Sequence, residues 1–286
     1  MRNFDCIIRS IETLKPVSHL GDKIAEIISN PGYSLNELVD VVKYDQGITA
    51  NLLRICNSSF LGLRKKIVTV KQAVAYLGAD KVSNLIMIAG SDAYFKGVQT
   101  GYDLGDGELW LHSVASALLA QDLAEQRGVR PASAIFTSAL LKDIGKVILH
   151  PYVGEDSDKI LKLVNENHFS FVEAERDILG IDHAELGARI AERWHFSPKM
   201  VDIIRHHHTP DGKGDFDPEL AIVYLSDAIC MMLGIGVGMD GLAYRHFQEV
   251  VARLGFTDMD LQNAIAGFWE KFDGILDLLN MAKGDS

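Results

Sequence analysis

Apolar residues recur along this chain three and four positions apart, and almost nowhere in strict alternation. Leu35, Leu38, Val39 and Val42 form one stripe, Ile48, Leu52, Leu53 and Ile55 begin a second, and Leu85, Ile86, Ile88 and Ala89 lie in a third. A period near 3.6 gathers such residues on one face of a helix, whereas a half-buried strand needs a period of two. Ser34 with Glu37, Thr69 with Gln72 and Ser170 with Glu173 have capping-box spacing. There a side-chain oxygen takes a first-turn amide that has no partner within the helix. Gly78, Gly128 and Gly180 follow periodic segments, where a left-handed C-terminal cap suits a residue without a Cβ. No run rich in Val, Ile and Thr alternates. The pattern predicts an all-α protein.

The clearest interruption is Gly97 to Gly107, where Gly97, Gly101, Gly105 and Gly107 are interleaved with Asp103 and Asp106. Such a stretch breaks helix and favours turns. It divides the chain into a helical N-terminal subdomain over residues 1–100 and a second helical body over 101–286. Asp211 to Pro218 is a Gly/Asp-rich loop inside that body.

Composition narrows the class. Of 286 residues, 48% are hydrophobic and 23% charged, the balance of a soluble globular protein. Only the extreme end, Ala282 to Ser286, is expected to be disordered. The formal net charge is -11, and holding nucleic acid through its phosphates needs a basic face. The short run Arg64-Lys65-Lys66 reads as solvated surface, so nucleic acid is not an expected partner. Cys6, Cys56 and Cys230 are far apart among apolar neighbours and form no CxxC pair, which reads as three buried thiols in a reducing compartment. Met1 to Asp5 carries an acid and no apolar core, unlike a signal peptide. Every apolar run stops well short of about 18 residues, so no membrane span is expected. The expected location is cytoplasmic.

Five of the ten histidines fall into a pattern with two aspartates. His112 lies on a helix beginning near Glu108, and Asp143 in Ala139-Leu140-Leu141-Lys142-Asp143-Ile144-Gly145-Lys146. His183 opens a helix after Asp182, His206, His207 and His208 end another, and Asp227 sits in an apolar helix. Neutral imidazole and carboxylate suit zinc, iron or manganese, and helical bundles assemble such sites in their interiors. Plainer readings stand beside this one. His112 can be a core histidine, Lys142 a solvated charge, and Asp143 a cap for a helix over Ile144 to Leu149. The histidine triplet can be a polar helix end matched to the dipole. Asp227 favours the site, because an unpaired buried carboxylate is costly. His19, His150, His168, His195 and His246 have no motif support. Asn57 and Ser58 read as structural, ending a helix and tying down its loop.

The order His, His-Asp, His, His-His, Asp resembles the HD superfamily of metal-dependent phosphohydrolases. Leu140 to Lys146 is similar to its LLHDIGK signature, with Lys142 in place of the histidine. Leu14-Lys15-Pro16, Tyr44-Asp45, Thr49 to Arg54, Cys56 to Phe60 and Ala73 to Gly78 resemble the run characteristic of HDOD domains. Trp110 with His112, and His207-His208-Thr209-Pro210, fit the same branch, so the resemblance covers about residues 12–230. It implies an all-α fold whose second body is an HD-like bundle, and a regulatory role in signalling; the class is not established as catalytic. His206 to Phe216 is similar to the HHExxDGxGYP segment of cyclic dinucleotide phosphodiesterases, but Asp215-Phe216 stands where Tyr-Pro would be. Either His206-His207 or His207-His208 matches the histidine pair.

The resemblance implies a metal set of His112, Asp143, His183, His206, His207 and Asp227, with Lys142 and Lys146 as ligand- or anion-binding residues. Lys142 changes that expectation. Its amine, with an ordinary pKa of roughly 10.4, is an ammonium at neutral pH and repels a divalent ion. We therefore expect the ammonium to take the charge role of a missing metal, pairing with Asp143 or Asp227. A single iron, manganese or zinc ion would sit at a partial site of Asp143, His183 and His207. The expected function is a non-catalytic signalling module that binds a protein partner and keeps its old site as a structural or ligand-sensing pocket. A nucleotide is the candidate small ligand. The alternative is a metal-dependent phosphohydrolase acting on a nucleotide or cyclic dinucleotide.

Overall fold

The computed structural model describes residues 2–13, 46–57, 61, 63, 66–95, 97–210, 215–240 and 246–269. The stripe of Leu35 to Val42, the Ser34–Glu37 box, Leu14-Lys15-Pro16, Tyr44-Asp45, Ser58 to Phe60, Arg64-Lys65, His19 and Ala282 to Ser286 lie outside those residues. The Asp211–Pro218 loop is described only from residue 215. The regular elements among the described residues are all helices, with one isolated bridge between Gln99 and Leu104 in place of a sheet. The all-α expectation holds.

Thirteen α-helices follow in order among the described residues. They are α1 (Arg2–Thr13), α2 (Gln46–Cys56), α3 (Val70–Leu77), α4 (Ala79–Phe95), α5 (Glu108–Arg127), α6 (Ala132–Leu141), α7 (Lys146–Glu155), α8 (Ser157–Asn167), α9 (Phe171–Leu179), α10 (His183–Arg193), α11 (Pro198–His206), α12 (Pro218–Met232) and α13 (Phe247–Leu254). A last helical run covers 258–269.

α6 is the hub. Its sequence, Ala-Ser-Ala-Ile-Phe-Thr-Ser-Ala-Leu-Leu, holds no charge, and a helix without a polar face belongs inside other helices. It packs against α4, α5, α11 and α12. α12 is equally enclosed, with every residue from Leu220 to Cys230 buried. The outer helices show the opposite design: α1 buries Ile7 and Ile11 on α7 and turns Cys6 outward. The expectation of three buried thiols is thus corrected at Cys6, which sits on the wet face of an amphipathic helix. Cys56 and Cys230 are buried and free.

Local signals were sound where they can be checked. Ser170 and Glu173 form a reciprocal capping box. Thr69 accepts from the Gln72 amide, while the Gln72 side chain accepts from Val68 rather than from the cap. Gly128 and Gly180 adopt the left-handed C-terminal conformation, at φ 66° and 80°. Gly78 has a positive φ but an extended ψ of 168°. Asn57 ties down its loop as expected, exchanging two hydrogen bonds with the Ile67 backbone at 2.7 and 2.8 Å.

The Gly97–Gly107 stretch is more than a break. It holds a short 3-10 turn, Thr100–Tyr102, that packs on α7. A Cβ on Gly101 would lie 1.9 Å from the His150 carbonyl oxygen. The same device recurs between α7 and α10: a Cβ on Gly145 would lie 2.0 Å from the His183 carbonyl oxygen and 2.8 Å from the Gly187 nitrogen. Gly145 has ordinary helical angles, so space and not backbone freedom demands glycine there. The close approach brings the start of α7 against the start of α10, and with them Asp143 and His183. Among the described residues no helix is long and apolar enough to cross a membrane.

Gly145→Ala is expected to lower stability by about 3 kcal/mol, since overpacking against two backbones has no flexible side chain to give way. Urea unfolding measures it, and a loss near zero would show that the helices can part without cost.

Candidate functional site

Every residue from 135 to 146 is buried, although the run contains Lys142, Asp143 and Lys146. α6 ends at Leu141, and four residues of turn carry the chain into α7 at Lys146. The turn closes on itself through Ile144 N to Leu141 O (3.0 Å) and Lys146 N to Asp143 O (2.9 Å). Backbone hydrogen bonds thus leave the Asp143 side chain uninvolved in capping, and it points into the interior. An unpaired charge in such a place would cost several kcal/mol. These charges are paired.

The Lys142 ammonium donates to Asp143 and lies 2.8 Å from Asp227 Oδ1 and 3.1 Å from His112 Nε2. His112 Nε2 in turn lies 2.8 Å from Asp227 Oδ1. Its Nδ1 faces the Ile235 carbonyl at 2.9 Å, a contact that requires a proton on Nδ1. α5, α6 and α12 each deliver one part of this group. Burial pulls the Lys142 amine down, but Asp143 and Asp227 outweigh it and the net shift is upward. Burial pushes both carboxyls up, and the ammonium reverses this, holding Asp143 and Asp227 well below the usual carboxylate range.

A second group shares Asp143. Its Oδ1 lies 3.7 Å from His183 Nε2 and 3.8 Å from His207 Nε2, and His183 Nε2 lies 2.9 Å from His208 Nε2. Hydrogen bonds on the far side fix the rings. His207 Nδ1 faces the Ile204 carbonyl at 2.7 Å, and His183 Nδ1 faces Glu175 at 2.7 Å. Both contacts place the proton on Nδ1 and aim an Nε2 lone pair inward. Glu175 is itself saturated, accepting also from the His183 amide (3.0 Å) and the Tyr102 hydroxyl (2.5 Å). Such carboxylate–histidine pairs are the usual outer support of metal ligands. Burial and the neighbouring His208 hold His207 well below the ordinary imidazole value, and burial with His183 takes His208 down to about 3. Burial also lowers His183, but Glu175 outweighs it and the net shift is upward.

Two sets therefore have the spacing to hold an ion: Asp143, His183, His207 and His208, and His112, Asp143 and Asp227. Within each, the candidate ligand atoms lie within 4.8 Å of one another. The chemistry fits only the first. Three imidazoles and one carboxylate converge there, and His207 Nε2 is buried without a hydrogen-bond partner among the described residues. In the second set the ammonium already stands among all three side chains.

Lys146 closes the site from the other side. Its Nζ lies 2.8 Å from Asp143 Oδ1 and 2.6 Å from Asp240 Oδ2, with the Tyr102 ring centroid 5.5 Å away. Asp240 belongs to a strap after α12. Ile235 accepts from His112, and Met239 N donates to Tyr102 O at 2.9 Å. A Cβ on Gly236 would lie 2.8 Å from the His112 Cβ. The strap is pressed onto the centre.

Of the residues singled out from sequence, His112, Lys142, Asp143, Lys146, His183, His207 and Asp227 meet here. His206 does not. One step back along α11 from His207, its ring faces outward, 3.7 Å from Asp202 and 23% exposed. His208 stands in the four-residue group instead. Sequence reasoning missed Glu175, Asp240 and Tyr102. Glu175 had a faint signal, an acid at an inward position of amphipathic α9; Asp240 had none.

A family model described as the HDOD domain matches residues 14–210. An uncharacterized protein of Treponema pallidum (strain Nichols) is 24% identical over 217 residues, covering 74% of this chain and 42% of that protein. The chain thus spans about two-fifths of that curated relative's length. Among solved structures, an HDOD domain protein with unknown function from Geobacter sulfurreducens superposes with a TM-score of 0.78 at 23% identity, covering 96% of this chain and 97% of that one. A protein of Marinobacter aquaeolei VT8, described as a candidate signal transduction protein, gives 0.76 at 24% identity, covering 96% of this chain and 60% of that one.

The pairing predicts a pH signature. The depressed Asp143 and Asp227 contribute stability that is complete above about pH 4 and lost as pH falls below it. The raised Lys142 contributes stability complete below about pH 10.4 and lost as pH rises through its folded value. Lys142→Met removes one ammonium from both carboxylates, leaving Asp143 with Lys146 alone, and is expected to cost about 3–5 kcal/mol at neutral pH, the scale of a broken buried pair. Burial then dominates, so the variant should gain stability relative to the parent on acidification from pH 7 to 5, a range in which the depressed His207 and His208 lower the stability of the parent. Urea unfolding across that range decides; parallel profiles would mean the ammonium is not the counter-charge.

Proposed function

The chain belongs to the HDOD domain family, and on that premise we propose that it is a non-catalytic signal-transduction module whose old hydrolase centre is a structural and sensing core. One observation carries the proposal: the Lys142 ammonium stands among His112, Asp143 and Asp227. Hydrolysis by paired ions needs a metal on each side of the reacting phosphate, and here a side chain fills one position. The enclosure supports the same reading. Lys142, Asp143, His183 and His207 are at most 1% exposed, which closes the centre to solvent.

In this reading the remaining set, Asp143, His183, His207 and His208, holds one divalent ion. A nitrogen-rich set suits zinc or iron ahead of manganese. The ion would supply positive charge where four buried carboxylates, on Asp143, Glu175, Asp227 and Asp240, face two ammonium groups. The pocket lies wholly in the body over 101–286, and the division at residue 100 enters as part of the proposal. The output is binding of a protein partner on a helical face, in the cytoplasm.

Protein purified without chelator is expected to carry about one ion per chain by elemental analysis, the stoichiometry of a single four-ligand site. His207→Ala should lose it, and Lys142→His should raise the content toward about two by restoring the second set. Loss with His112→Ala but not with His183→Ala would overturn the assignment.

Turnover of mono-, di- and cyclic nucleotides with Mn, Fe, Mg and Zn should stay at background. Robust turnover abolished by Asp143→Ala would reject the non-catalytic reading.

A further inference from the structure

On the outer side of the four-residue set lies a cavity of about 320 Å3. His208 lines it while contacting His183 within the set. Among the four residues only His208 is not fully buried, so the cavity is the side on which the centre approaches solvent. Arg176, Arg189 and Arg205, from α9, α10 and α11, bring three guanidinium groups to its wall, against the carboxylates of Asp182 and Glu185. Val172, Ile181 and Ala184 supply an apolar face.

The arginines are only partly occupied. Arg176 places Nε (2.9 Å) and one terminal nitrogen (2.5 Å) on a single oxygen of Asp182. Arg189 gives Nε to Glu185 at 2.8 Å. Arg205 gives Nε to Glu185 and a terminal nitrogen to Glu192, each at 2.8 Å. Each guanidinium has five donors, so terminal N–H groups of Arg176 and Arg189 are left over beside the cavity. Three guanidinium groups face two lining carboxylates, and the third anion, Glu192, is held by Arg205 alone, so the unused donors of Arg176 and Arg189 set the local field that decides which small ion enters.

We propose that this cavity binds a small phosphate monoester, with the phosphate on Arg176 and Arg189 and the organic group against Val172, Ile181 and Ala184, next to His208. A tetrahedral dianion takes donors converging from several directions, whereas a flat carboxylate is satisfied by one guanidinium fork. The proposal rests on the sensing part of the reading above, names its ligand class, and does not depend on the ion.

Calorimetric titration of the full chain with phenyl phosphate, inorganic phosphate and benzoate tests it, with metal content measured on the same samples. Phenyl phosphate should bind saturably at one site, tighter than inorganic phosphate by roughly tenfold for partial burial of one ring. Benzoate should be weaker than either. Arg176→Ala/Arg189→Ala should lose at least about tenfold in affinity at unchanged metal content. If that variant does not fold, phenylglyoxal modification of the parent protein decides, because phenyl phosphate should protect Arg176 and Arg189 in peptide maps. Absence of saturable binding, benzoate binding as tightly, or unprotected arginines would overturn the proposal. A metal-free sample that still binds phenyl phosphate would separate this site from the failure of the metal assignment.

Discussion

The ammonium of Lys142, set between Asp143, Asp227 and His112, is the interaction around which the interior is organised. Three helices end or pass at this point, and each contributes a polar group that would be ruinous alone. α6 can be uncharged along its whole length because the charge is concentrated in the turn that follows it. The pairing is also what allows Asp143 to remain ionised in a buried position, and an ionised Asp143 is what the neighbouring histidines face.

Asp143 belongs to both halves of the centre. One oxygen answers Lys142, and the other faces His183, His207 and Lys146. A change at Asp143 therefore reaches both halves, and their coupling runs through one carboxylate. Glycine makes this compact geometry possible. At Gly145 the start of α7 approaches α10 closely enough that Asp143 and His183 share a site, and a single methyl group there would push the pair apart.

Much of this was legible beforehand, and the failures have physical reasons. Helical periodicity identified the class, and the capping pattern placed the starts of α3 and α9, because both are local signals. The motif order gathered seven of the site residues from four helices and two turns, since each occupies a position where an unpaired buried polar group is costly. His206 went wrong because adjacent residues on a helix end point about 100° apart, and sequence could not orient the triplet. Glu175 and Asp240 escaped notice for a different reason. Their roles depend on how α9 and the strap dock, and nothing within either segment encodes that. Cys6 shows the same limit from the other side: apolar neighbours along the chain did not make its own face an inner one.

A metal ion can be removed by a chelator, exchanged for a competitor or left out when supply is short. The cation supplied by Lys142 is covalent and is present from the moment the chain is made. That half of the centre is therefore assembled at synthesis and is indifferent to the cell's metal pool, while its identity and charge never vary. On the reading proposed above, the histidine half keeps the ability to load and unload. Such a centre, with one permanent and one exchangeable cation joined through a shared aspartate, would lose the second without losing the architecture that the first maintains.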